Sequence, residues 1–166
     1  MPLEFKDANY SRIMLIPMWQ RFLGVLVYIL PWSDAIPFGR YLFTDFPFLQ
    51  WLALPAIPII FIEQSIPFGS FLLFFLLFLG LVRNPKTPYF LRFNALQALL
   101  IDIGVIIINY AFRIIIQPFG KGLIVSTLSS TVLIAILAIV IFAFGECLQG
   151  KEPDLPTISE AVRMQL

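Results

Sequence analysis

One stretch limits what this chain can fold into more than any other. Val82–Ile116, VRNPKTPYFLRFNALQALLIDIGVIIINYAFRIII, is a long apolar run that carries an acid, amides and arginines. Thr87 stands in a good N-cap position, with Pro88 in the first helical position, where a missing N–H does no harm. Pro88 to Ile116 gives roughly 43 Å of helix, longer than the about 30 Å of a bilayer's hydrocarbon core. The first two turns, with Arg92 and Asn94, are therefore expected among headgroups while the remainder crosses.

The polar side chains of this helix fall on one stripe. At about 100° per residue with Asn94 as origin, Asp102 falls near 80°, Asn109 near 60° and Arg113 near 100°, while Gln97 flanks them near −60°. Ionisable groups inside a membrane are costly and face a bundle interior or a wet cavity. Two readings stay open: hydrogen-bonding glue between helices, or a hydrated path for a substrate. Asp102 and Arg113 are about 16 Å apart along the axis, so each needs another partner. Glu146 is the candidate facing acid.

Composition fixes the class. The 166 residues are 60% hydrophobic and 13% charged, with mean hydropathy +0.92. A soluble domain of this size could not cover so much apolar surface. The reading is an all-α, multi-pass integral membrane protein in a single domain, with polar tails at 1–18 and 149–166 around a membrane core at 19–148. A net charge of +1 argues against a nucleic-acid partner. Cys147 is the single cysteine and histidine is absent, which removes a disulfide and the commonest metal ligands. No cofactor or metal is expected. No nucleotide-binding loop, His-based metal motif or GxSxG is present, so no enzyme is expected either.

The opening MPLEFKDANYSR lacks the basic region of a secretory leader and the Ser/Arg-rich character of a transit peptide. The expectation is a protein made in the compartment whose membrane it enters. Four spans are predicted, at 19–32, 66–82, 95–116 and 123–148. Trp19 and Trp32 bound the first as an aromatic belt, and Pro31 ends it. SDAIPFGRYLFTDFP then reads as an interfacial loop. Phe48–Ile62, interrupted by Pro55 and Pro58, reads as a broken, re-entrant or interfacial segment. Ser126–Thr131 (STLSST) offers small residues for close helix packing, or hydroxyls for a pore.

With four spans, Lys6, Arg12, Arg21, Arg83, Lys86, Arg92, Lys151 and Arg163 share a side, eight of eleven basic residues. Arg40, Arg113 and Lys121 take the other. A fifth span would make the split almost even, so the bias places both termini in the cytoplasm or stroma. In the tail, Thr157 and Glu160 fit a capping box opening a short interfacial helix.

Several stretches taken together resemble a known family. They are Arg21-Phe22-Leu23 with Tyr28-Ile29-Leu30-Pro31, Pro37-Phe38-Gly39-Arg40-Tyr41 and Ser65-Ile66-Pro67-Phe68. The most specific is Val82-Arg83-Asn84-Pro85, continuing through Arg92-Phe93-Asn94, Gln97-Ala98 and Asp102-Ile103. Gly150-Lys151, Pro153-Asp154-Leu155-Pro156 and Ile158-Ser159-Glu160 complete the set. The chain resembles the channel subunit of the chloroplast inner-envelope translocon, the twenty-kilodalton Tic family, with its cyanobacterial and plastid-encoded relatives. The resemblance implies four membrane helices and both termini in stroma or cytoplasm. It also implies preprotein transport inside a larger complex, with other translocon subunits and transported polypeptides as partners. It supplies no catalytic residues. The apparent lack of a transit peptide points to a cyanobacterial or plastid-genome origin. A non-conducting membrane scaffold, and assembly as a homo-oligomer, remain open.

Overall fold

The computed structural model describes residues 16–120 and 122–166. The opening segment read above and Lys121 lie outside the described residues. The protein is 83% helical, with no strand among the described residues. Four helices are long and apolar enough to cross a membrane: α1 (Met18–Asp45), α2 (Pro47–Ser65), α4 (Tyr89–Ile116) and α5 (Leu123–Leu148). A shorter apolar helix, α3 (Gly69–Val82), follows α2, and α6 (Ile158–Gln165) ends the chain. The all-α, multi-pass class is as the composition required. The stretches that fill it differ from those expected.

The first difference lies in α1, where Pro31 does not end the helix and the expected interfacial loop is helical. The helix is interrupted at Tyr28 and restarts as Ile29–Ala35, Ile36–Gly39 and Arg40–Asp45. Pro31 and Pro37 each fall in the first turn of one of these segments, where the N–H has no intrahelical acceptor anyway. Trp32 is accordingly no belt residue: it is 7% exposed and its Nε1 donates to the Leu52 carbonyl at 3.0 Å.

The second difference is α2. The 48–62 stretch is helical throughout as part of a 19-residue run, with Pro47 and Pro58 again at segment starts and Pro55 inside a tight 3₁₀ portion. Its first half touches both Arg40–Asp45 and Ile29–Ala35 of α1, and its second half touches Ile29–Ala35, so α2 folds back onto α1. Only 6% of it is buried. Its end turns sharply into α3 through Phe68, at φ 60°, and Gly69. A Cβ at position 69 would collide with the backbone of Glu63.

The core is built by α1, α4 and α5. Tyr28 meets Asn94, and Phe38 meets Phe112 edge-on, so α1 and α4 run parallel. Cys147 meets Asn94, Trp32 meets Phe144, and the Ser129 hydroxyl donates to the Phe38 carbonyl at 2.6 Å, so α5 runs antiparallel to both. Ser129 thus uses the small-residue run of α5 for close packing. Helix α3 returns along α4, from Ser70, which shares a cleft with Asn109, to Val82, whose carbonyl accepts from Arg92, a rise of about 18 Å along α3. Phe, Leu and Ile side chains cover the outward faces, as lipid contact requires.

Arginines mark both ends of this bundle. Arg21 and Arg40 are separated by about 28 Å along α1, and Arg92 and Arg113 by about 31 Å along α4. Both spacings match the hydrocarbon thickness, so Arg113 belongs to the far interface. Start of α1 and end of α5 lie together, with Arg21 Nη1 donating to the Leu148 carbonyl at 3.3 Å.

Candidate functional site

The polar stripe of α4 divides into two parts that behave differently. The part nearest the chain ends is held by hydrogen bonds to other segments, although Gln97 Oε1 is buried without a partner. Asn94 is entirely buried; its Oδ1 accepts from the Tyr28 hydroxyl and the Cys147 thiol, each at 3.0 Å, and its Nδ2 donates to Phe90 at 2.8 Å. Gly24 lets α1 come this close, since a Cβ there would press on the Phe90 ring. Gln97, also fully buried, donates from Nε2 to the Pro153 carbonyl and the Ser159 hydroxyl, each at 3.2 Å.

That second contact holds the C-terminal tail against α4. Ser159 accepts from the Leu155 N–H at 2.7 Å and donates to the Pro153 carbonyl at 3.0 Å. The capping box is not formed: Thr157 sits at φ 70° and its side chain makes no cap. Thr87 likewise gives way as cap to Pro88, one residue later, and α4 opens at Tyr89. The last carbonyls of α3 are met instead from a distance, with Arg92 Nε donating to the Val82 oxygen at 2.9 Å.

Further along α4, hydrogen bonding is incomplete. Asp102 is 2% exposed, and its carboxyl is within hydrogen-bonding reach of Asp34 on α1. Glu63, at the end of α2, lies near both, with the Ser70 hydroxyl within its reach. Asp102 Oδ1 and Glu63 Oε1 are both buried without a partner. Two carboxyl groups from α1 and α4 thus face each other about midway along α4, with a third from α2 near them. Asp34 and Ser70 also line a cleft of about 440 Å³, with Ile106, Asn109, Tyr110 and Arg113 on its other wall.

The arrangement brings Asn109 and Arg113 onto one cleft, while Asp102 faces Asp34 of α1, and Asn94 and Gln97 engage other partners nearer the start of α4. Glu146 is not brought to Asp102. It sits in the last turn of α5, at the level of Cys147 and Asn94, about 12 Å from Asp102 along the axis. The acid that does face Asp102 is Asp34. Asp34 lies in a proline-flanked stretch that reads as a loop in sequence, and no spacing pattern there marks it as helical.

The chain is similar along most of its length to proteins of one family. The family model described as "Chloroplast import apparatus Tic20-like" matches residues 5–162. A Tic20 family protein from Synechocystis sp. is 38% identical over 147 residues, covering 88% of this chain and 92% of the relative. Protein TIC 20-v, chloroplastic, from Arabidopsis thaliana is 35% identical over 147 residues, covering 88% of this chain and 70% of the relative. The Tic20 family protein Ycf60 from Gracilaria tenuistipitata var. liui is 28% identical over 170 residues, covering 98% of this chain and 81% of the relative.

Proposed function

The chain belongs to the Tic20-like family of the chloroplast import apparatus, and on that premise we propose that it is a membrane-embedded subunit of a protein translocon. It acts in preprotein transport across a cyanobacterial membrane or a plastid inner envelope, with both termini on the cytoplasmic or stromal face. The observation that carries this reading is the family likeness, which runs through the membrane core and into the tail. The carboxyl cluster supports it. A polypeptide crossing hydrocarbon needs acceptors for its backbone N–H groups, and Asp102 Oδ1 and Glu63 Oε1 are buried acceptors with none of their own partners in place. The cleft beside them, lined by Asn109 and Arg113, is where such a chain would pass. Other translocon subunits complete the conduit, since the described residues of one copy offer an open cleft there.

A second reading has its own observation. Asn94 is wholly engaged inside the molecule and the Gln97 amide nitrogen ties the tail to α4, as helix glue would be, which favours a non-conducting scaffold. The two are separated by placing a photo-crosslinking residue at Ile106, on the cleft, and another at Ile134, on the outer face of α5. With a preprotein arrested in transit, a conduit gives adducts to that polypeptide from position 106 and not from 134. Adducts to lipid or neighbouring subunits alone, from both positions, would leave the scaffold.

A further inference from the structure

The four interfacial arginines are treated differently at the two membrane faces. At the face holding the chain ends, Arg21 donates to the carbonyls of Ile16 and Leu148, and Arg92 to that of Val82. Leu148 and Val82 close α5 and α3, so these cations sit on helix C-termini, where backbone carbonyls and the helix dipole favour positive charge. At the opposite face nothing comparable meets Arg40 and Arg113. Among the described residues the single ion pair is Arg163 with Asp154. Arg40 lies over the Tyr41 ring at 5.6 Å, and among the described residues neither guanidinium has a hydrogen-bond acceptor.

These two cations open onto one cleft of about 490 Å³ between α1, α4 and α5. No carboxylate lines it. Its polar wall adds Tyr41, Asn109 and Ser129, and its apolar wall is Ile36, Phe43 and Phe112. The cleft lies about 30 Å from the arginines of the other face, where headgroups begin. A guanidinium presents a planar fork of donors that fits phosphate and sulfonate oxygens, and it binds them more strongly than neutral acceptors.

We propose that Arg40 and Arg113 together form a binding site for one anionic lipid headgroup, on the membrane face opposite the chain ends. The phosphate or sulfonate sits between the two guanidinium groups, and the acyl chains descend along Phe112 and Ile36. Basic clefts between membrane helices bind anionic headgroups in this way. The site is independent of whether polypeptides cross the neighbouring cleft. Arg113 and Asn109 line both clefts, so an anion bound in one also neutralises an arginine on the wall of the other.

The test uses the full chain in nanodiscs of phosphatidylcholine containing a minority of phosphatidylglycerol. Lipids that stay bound after extraction are identified by native mass spectrometry. The wild-type chain is expected to retain phosphatidylglycerol preferentially. R40Q or R113Q should lower that preference about fivefold each, and the double variant should abolish it. R40K and R113K should keep part of it, since charge remains without the fork. K86Q, at the opposite face, should leave it unchanged. Equal retention of both lipids by the wild type, or an equal loss in K86Q, would overturn the site. Displacement of phosphatidylglycerol by millimolar inorganic phosphate, or by a polypeptide held on the same arginines, would overturn the lipid assignment. Should the double variant fail to fold, R40Q decides the matter alone, because Arg40 is exposed and its side chain makes no hydrogen bond or ion pair among the described residues.

Discussion

The sharpest consequence of the Asn94 geometry is a coupling energy. Tyr28 and Asn94 are both fully buried, with the hydroxyl 3.0 Å from Oδ1. Asn94→Leu keeps the volume but leaves the Tyr28 hydroxyl without an acceptor, and an orphaned buried donor costs about 1–3 kcal/mol. Tyr28→Phe is milder, at under about 1 kcal/mol, because Asn94 still accepts from the Cys147 thiol at 3.0 Å. With both changes the contact becomes apolar on both sides, so the Asn94 penalty should largely vanish. The expected coupling is about 1–1.5 kcal/mol, towards the top of the range for membrane proteins, because no water or lipid reaches this pair. Reversible unfolding in mixed micelles with increasing dodecyl sulfate, run on the four members of the cycle, measures it. Additivity within about 0.5 kcal/mol would refute the claim that this pair ties α1 to α4.

Three further outcomes follow. Ser159→Ala removes three buried hydrogen bonds around the tail and should release α6 at a cost of about 1–3 kcal/mol; faster proteolysis after Lys151 would report it, and unchanged cleavage would count against the docked tail. Phe68→Gly should stabilise the protein by about 1 kcal/mol by relieving the left-handed turn, while Gly69→Ala should destabilise it by about 1–3 kcal/mol; thermal unfolding in detergent distinguishes the signs. Cysteines replacing Lys86 and Lys151 should label with an impermeant maleimide from one face and a cysteine replacing Thr44 from the other, and labelling of 86 and 151 from opposite faces would undo the arrangement of α1, α3, α4 and α5.

Much of the architecture was readable from residue pattern, because a bilayer leaves helices as the way to satisfy so apolar a backbone. The polar face of α4 was readable for the same reason: Asn94, Asp102, Asn109 and Arg113 recur at helical spacing in a run with few other polar residues. What proline does to a membrane helix was not readable from its presence. Pro31, Pro37, Pro47 and Pro58 all sit in the first turn of a helical segment, where they start structure as easily as they end it. Reading Pro31 and Pro37 as stops put Asp34 in a loop and removed the partner of Asp102 from view. Glu63, beyond two prolines, was lost in the same manner. Glu146 was misplaced for a different reason: sequence gives depth along one helix but not the register between two, and the Cys147–Asn94 contact sets that register. The Gln97–Ser159 bond joins residues 62 apart, and no local pattern signals it.

The carboxyl cluster is where a conduit and a scaffold part company, and Asp102→Asn tests it most directly. The substitution keeps size and hydrogen-bonding capacity beside Asp34, so helix packing and complex assembly should be unchanged. The quantity to measure is the preprotein transport rate per assembled complex, against wild type in the same membranes. A conduit that uses the buried carboxyl predicts normal assembly with a clear fall in that rate. An unchanged rate in fully assembled complexes would contradict it.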